Sequence, residues 1–372
     1  MPLRPEAGGT ERITSLVAKG LSMRGHECMD ILVFNQDGNI SYHDEPVSDV
    51  YQFLKVNKVD IVINQIAYSK WLLDDFLSKG GDIWHKEGGK IISCLHFDPC
   101  NPSYIQLLKS QEKLSFRNRL QIIKHTLLSH YYRHQKEFDE GIIYNFIYDK
   151  SDAFVILSQR HLPYMQKVMK RHNYEKITVI NNPLTFPNIA TVEDLDKKKK
   201  TILVCARMSE YHKRVSLVLK AWVTLQHEGI TQDWTLKLVG EGPDLNRYKR
   251  FVEKNCLDNV VFYGQQNPLP FYQEASILLL TSSAEGWGLS ITEALQNGVV
   301  PIVMDSSPVY IDLIDNCRNG YLTPNGDLSA FTRCIKSLIS NPYRLHAMQC
   351  NALASANRFT IDNQLDKWDR IF

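Results

Sequence analysis

The residues able to do chemistry gather in a few short stretches of this 372-residue chain. The strongest is Glu285-Gly286-Trp287-Gly288-Leu289-Ser290-Ile291-Thr292-Glu293. It follows an apolar strand at 276–280 and the turn Thr281-Ser282-Ser283, and then enters a helix. Gly286 and Gly288 bare the backbone N–H groups where that helix begins, and such a helix N-terminus can hold phosphate or sugar oxygens. Glu285 falls in the loop and Glu293 about two turns into the helix. Two carboxylates so spaced suit a ligand with hydroxyls at both ends. The same run also reads as a capping loop followed by an unrelated glutamate.

A second candidate is the pair Arg207 and Lys213, straight after the strand 201–205. Ligands of open α/β sheets bind at the C-terminal edge of the strands. There an Arg fork and a Lys point charge can neutralise a diphosphate. The neighbouring His212 and Arg214 leave the choice of cation open, and loop charges are common on any surface. Gly240-Glu241-Gly242-Pro243 after the strand 235–239 is by itself only a turn. Gly8-Gly9-Thr10-Glu11-Arg12 opens the first helix, where glycines let a ligand approach the backbone. It is not G-x-G-x-x-G, which weakens a dinucleotide-dehydrogenase reading. His96 stands just after the strand 90–95; a lone His is as readily structural, but the end of a strand favours a site.

Short, continuously apolar runs must position these residues. Asp60–Asn64, Lys90–Leu95, Ala153–Leu157 and Ile177–Ile180 read as strands covered on both faces, with helices over Arg12–Arg24 and His161–Arg171 between them. The alternation restarts after residue 200: strands 201–205, 235–239, 260–263, 276–280 and 299–303, with helices over 216–228 and 244–254. The fold class is α/β, with two doubly wound, Rossmann-like domains facing a central cleft. The expected boundaries are 1–184 for the first domain, 185–200 for a linker ending in four solvated lysines, and 201–350 for the second. Residues 351–372 form a helical segment returning to the first. Met1–Ala7, with two prolines, is a poor first strand, so either that strand is irregular or the true start lies upstream.

Taken together, these motifs resemble the retaining glycosyltransferases of family 4, which have the GT-B fold and include many bacterial surface-polysaccharide enzymes. The resemblance rests on Gly8-Gly9-Thr10-Glu11-Arg12 with Gly25-His26-Glu27, Ser151-Asp152-Ala153 to Ser158, Val179 to Pro183, Gly240 to Pro243, and Glu285 with Glu293. It implies a role at each matching position. Arg207 and Lys213 would bind the donor diphosphate. Glu285 and the backbone of Gly286, Trp287, Gly288 and Leu289 would hold the donor sugar, and Glu293 the ribose hydroxyls. Gly9 would lie near the phosphates, His96 beside the transferred sugar, and Gly240, Gly264 and Gln265 near the base. The implied activity is metal-independent, retaining transfer of a hexose-type sugar from a UDP- or GDP-linked donor to a saccharide or lipid-linked saccharide. No cofactor is expected, and no Asp-x-Asp stands near the site. The alternatives are a sugar-nucleotide epimerase or phosphorylase on the same architecture, and a non-catalytic partner subunit of a transferase.

Composition narrows the setting. Forty-three basic and 41 acidic residues leave a formal charge of +2, against the basic excess of a nucleic-acid binder. The eight cysteines form no C-x-x-C pair and read as reduced, cytosolic core residues, and no signal peptide or membrane-spanning run is seen. The near-neutral total conceals one asymmetry. Residues 109–136 carry seven Lys and Arg against Glu112 alone, with Leu120, Ile123, Leu127, Leu128 and Tyr131 at helical spacing. Such a basic amphipathic segment rests on an anionic inner leaflet, or else packs on its own core with a solvated face. The expected location is cytoplasmic, peripheral to the membrane on the first of these readings.

Overall fold

The computed structural model describes residues 8–30, 40–42, 45–99 and 116–372, the side chains of 116–119 excepted. Its internal contacts divide the chain into two units. One holds Met1–Pro99, His130–Thr185 and Phe359–Phe372; the other holds Cys100–Ser129 and Phe186–Arg358.

Unit 1 carries a small antiparallel pair, β1 (Ser41–Tyr42) with β2 (Glu45–Pro46), and a parallel sheet. The sheet runs in the order β3 (Ile61–Asn64), β4 (Lys90–Leu95), β5 (Ala153–Ile156), β6 (Ile177–Val179). Ile91, Ile92, Phe154 and Ile156 are fully buried, as expected of strands covered on both faces. The helix Gly9–Met23 starts at Gly9, carries Glu11 in its first turn and buries Ile13, Val17 and Leu21. An acidic first turn complements the positive end of the helix. The chain's last helix, Ile361–Trp368, packs against it closely: a Cβ on Gly20 would lie 2.7 Å from Leu365 Cδ1. Arg24 adds ion pairs to Asp362, Asp366 and Asp369. The question of the first strand at Met1–Ala7 lies outside the described residues.

Unit 2 has six parallel strands in the order β12 (Tyr321–Pro324), β11 (Val300–Asp305), β10 (Ile277–Leu280), β7 (Thr201–Cys205), β8 (Thr235–Val239), β9 (Val260–Gly264). The chain builds outward from β7 to β9 on one side. It then returns to β10 and builds outward on the other, so the order reverses between β7 and β10. Crevices at such a switch point are where open α/β sheets bind ligands. The expected set of strands lacked β12, an edge strand of four residues ending in a proline.

The stretch 185–200 is not a bare linker. From Phe186 onward it belongs to unit 2, where Leu195 is buried beneath Gly298 and Lys198 Nζ donates to the Tyr272 carbonyl at 2.7 Å. Burial pushes the Lys198 ammonium down to about 7. Lys197, Lys199 and Lys200 of the lysine run make exposed ion pairs, to Asp194, Glu274 and Asp233. The returning segment begins at Phe359, because the helix Pro342–Ala356 is part of unit 2.

Candidate active site

In unit 2 the loops beyond the strand ends are laced together by their backbones. Met208 N–H donates to Glu241 O at 2.8 Å, Asp244 N–H to Met208 O at 3.0 Å, and Gly240 N–H to Gly264 O at 2.7 Å. Gly240 sits at φ +130°, and a Cβ there would meet Ala206 O at 2.1 Å. Only glycine lets these loops lie backbone to backbone. The loop after β10 is fastened to the loop after β7 in the same way. Ser283 N–H donates to His212 O at 2.7 Å, and Thr281 Oγ1 to Lys213 O at 2.8 Å.

Arg214 is the main fastener. It has left-handed backbone (φ 48°) and donates to Thr281 O at 2.6 Å and to Ser282 O and Asn325 Oδ1, each at 2.7 Å. Its guanidinium is therefore engaged inside unit 2, which leaves Arg207 and Lys213 as the cations of this loop. Glu210 anchors the loop from beneath. Its carboxyl oxygens accept from Ser216 Oγ at 2.5 Å and from the Tyr248 hydroxyl at 2.9 Å, and burial together with that carboxyl pushes the Tyr248 phenol up. Glu210 and Arg214 were not singled out as structural pieces by sequence, where each is one charge among many.

Lys213 Nζ forms an ion pair with Glu285 Oε1, which also accepts from Ser282 Oγ at 2.6 Å. The two side chains of the pair are 23 % and 17 % exposed. Arg207 is exposed and makes no side-chain hydrogen bond or ion pair among the described residues. His212 is pushed down, first by burial and then by the charges of Lys213 and Arg207. It adds no third cation near neutral pH. The helix Leu289–Gln296 begins at Gly288, which has φ 90°. Trp287 is buried, so its ring packs while its backbone stays at the helix start. Glu293 is only 3 % exposed and is hydrogen-bonded by the Tyr272 hydroxyl, itself wholly buried and pushed up by desolvation beside Cys205 and Glu293.

The remaining predicted residues lie elsewhere. Gly264 faces Gly240, and Gln265 beside it is exposed. Gly9 and His96 belong to unit 1. His96 Nε2–H donates to Gln65 Oε1 at 2.6 Å, while Nδ1 is buried without a partner. Burial pushes the imidazole down to about 4, so it is neutral at physiological pH.

Residues 186–354 match the family model described as glycosyl transferases group 1. A Haemophilus influenzae protein named an uncharacterized glycosyltransferase is 25 % identical over 98 % of this chain and 96 % of its own length. The lipopolysaccharide 1,6-galactosyltransferase of Escherichia coli K12 is 29 % identical over 52 % of this chain and 54 % of its own. Among solved structures, the lipopolysaccharide outer core galactosyltransferase WaaB, in its apo form, superposes with a TM-score of 0.64 at 18 % identity, over 99 % of this chain and 96 % of its own. The pneumococcal O-GlcNAc transferase GtfA, solved with UDP and GlcNAc, gives 0.63 at 17 %, over 93 % of this chain and 64 % of GtfA. The fold is GT-B.

With the group 1 match, these likenesses support a GT-B glycosyltransferase. In GT-B terms, the switch point of the second sheet is flanked by a free arginine, a lysine held by a glutamate, and the start of a helix. Such an arrangement can compensate negative charge leaving on a phosphate, through fixed donors that need no reorganisation.

Proposed function

We propose that this chain is a retaining glycosyltransferase that moves a hexose-type sugar from a nucleotide-diphosphate sugar to a saccharide or lipid-linked saccharide in surface-polysaccharide or glycolipid synthesis. The observation that supports it most is the placement of Arg207 and the Lys213–Glu285 pair beyond the carboxyl ends of β7 and β10, either side of the switch point. On this reading Arg207 and Lys213 take the diphosphate and Glu285 turns to the sugar hydroxyls. Glu293 receives the ribose, and the N–H groups from Gly286 to Leu289 cover the departing phosphate. The charge is met by cations and the helix N-terminus, so the reaction needs no metal. The leaving phosphate takes the acceptor's proton, and no protein base is assigned. UDP is favoured over GDP as the nucleotide, because the similar GtfA and Anabaena HepE structures were solved with UDP.

The test is calorimetry with UDP and GDP, followed by donor hydrolysis across a set of nucleotide sugars with and without EDTA. Micromolar binding of one nucleotide, and hydrolysis that survives EDTA, are expected. Binding of neither nucleotide would leave the reading of a non-catalytic subunit, and inversion of a sugar stereocentre without transfer would leave the epimerase.

The proposal extends to the inner face of a membrane. Of the basic segment 109–136, residues 109–115 lie outside the described residues. In the described part that belongs to unit 2, Ile123, Leu127 and Leu128 are exposed, and Lys124 is exposed among them. Apolar side chains standing in solvent beside basic ones suit an anionic bilayer surface. Among the described residues no helix is long and apolar enough to cross a membrane. Flotation with phosphatidylglycerol vesicles at low salt should carry the protein upward, and phosphatidylcholine vesicles should not. Equal behaviour with both would refute an anionic docking surface.

A further inference from the structure

We propose that Tyr68 and Phe97 form an acceptor subsite in unit 1 that takes the apolar face of a pyranose ring. The inference rests on the transferase reading for its role, and on geometry for its place. Tyr68 lies in the loop after β3 and Phe97 in the loop after β4, beyond the carboxyl ends of two paired parallel strands. The ring centroids are 4.6 Å apart with planes at 76°, so the rings make a step with one tread and one riser. Each ring has the other as a partner, yet the residues remain 45 % and 44 % exposed.

The loop that carries Tyr68 is fixed, in part onto the strand that leads to Phe97. Ala67 N–H donates to Cys94 O at 3.2 Å, Ser69 N–H to Ile66 O at 3.0 Å, and Ile66 N–H to Asn64 Oδ1 at 3.0 Å. Exposed aromatic surface on a rigid support is ready to bind, because little is left to be ordered.

The surroundings select the ligand. The C–H hydrogens on one face of a pyranose are slightly positive and meet the negative face of an aromatic ring. Hydroxyls at the rim of the sugar need neutral polar partners, and the same two loops carry the neutral, mutually bonded pair His96 and Gln65 rather than a charged one. A phosphate group would need a cation. The nearest in sequence, Lys70, is paired with Asp74 at 3.3 Å and lies over the Phe146 ring at 4.2 Å. The subsite therefore suits an uncharged sugar of the acceptor rather than its phosphate.

The experiment uses the full chain and four variants: Tyr68→Ala, Phe97→Ala, Tyr68→Phe and Phe97→Tyr. Each is offered the methyl glycosides of glucose, galactose and N-acetylglucosamine, read by saturation-transfer NMR, with UDP calorimetry on the same samples. The expected result is saturation of one face of a glycoside by the wild type and by both aromatic replacements. The alanine variants should show a loss of fivefold or more, with UDP affinity unchanged. Alanine variants that bind glycoside like the wild type overturn the proposal. So does a wild type that binds UDP but none of the glycosides. Loss of vesicle flotation in the alanine variants with glycoside binding intact would make the rings lipid contacts, and also overturns it. Failure of the wild type to bind any nucleotide would sink the transferase reading instead, and glycoside loss in the alanine variants would still be read independently.

Discussion

Lys213 is held by Glu285 before any donor arrives, and Arg207 is not held by any described side chain. The two cations should therefore respond differently to mutation. Arg207→Ala removes a charge with no internal duty, so turnover should fall more than tenfold while thermal unfolding stays at the wild-type temperature. Lys213→Ala should slow turnover as much but also leave a half-buried carboxyl without its cation, with some loss of stability. Glu285→Gln carries the sharper prediction, because its two effects have opposite sign. Transfer should be lost, while UDP alone should bind about three- to tenfold more tightly, since a lysine already engaged costs roughly 1 kcal/mol to recruit. Calorimetry with UDP decides it, and unchanged or weaker binding would show that the pair is not in competition with the diphosphate. His96 gives a pH dependence. Its folded value of about 4 lies below the unfolded value of 6.5, so the unfolded chain binds the extra proton between these limits. Stability should rise as pH goes from about 4 to 6.5, be fully present above 6.5 and be lost toward 4. His96→Gln should flatten that slope in urea titrations across the window.

At the scale of the element, the loops after β7, β8 and β9 stand or fall together, because Gly240 and Gly242 are pressed onto the carbonyls of Ala206 and Met208. Gly240→Ala adds a methyl at φ +130° against an oxygen, and should cost about 2 kcal/mol or more in urea unfolding. The same change should weaken UDP binding, because the loop bearing Arg207 must shift. Glu210→Ala should act on the same loop from below, by freeing Ser216 and the buried Tyr248 hydroxyl, with UDP affinity falling severalfold at calorimetry. These elements also show what a sequence discloses. β4, β5, β7 and β10 were legible because burial on both faces writes an unbroken apolar run. The tetrapeptide β12 was not, since its side chains are only partly apolar and pairing along one edge leaves no pattern. The glycine turn at 240–242 and the loop-to-helix start at 285–289 were legible in their backbone form, because glycine marks positions of positive φ such as Gly240 and Gly288. The pairing of Lys213 with Glu285, the inward turn of Arg214 and the hold of Tyr272 on Glu293 were not. Each joins residues far apart in the chain, which no local period records.

For the whole molecule, the near-zero net charge describes neither the loop bearing Arg207 and Lys213 nor the basic segment, and both should be read by their local fields at low salt. The division into units has its own test. A chain stopped after Arg358 keeps every strand of unit 2 but loses the helix that covers Gly20 and the aspartates that hold Arg24. Limited proteolysis of that chain should leave a resistant fragment starting near residue 186, while sites in 8–99 and 130–185 become open to cleavage. Equal resistance of both regions would show that the last helix is dispensable. The returning helix also bears on the order of events during synthesis. Unit 2 leaves the ribosome with all its strands in one continuous stretch and can close while translation goes on. The first sheet, though made earlier, must wait for the fourteen residues from Phe359 to Phe372 that follow unit 2. A premature stop near the C-terminus would therefore damage the half of the protein that was translated first.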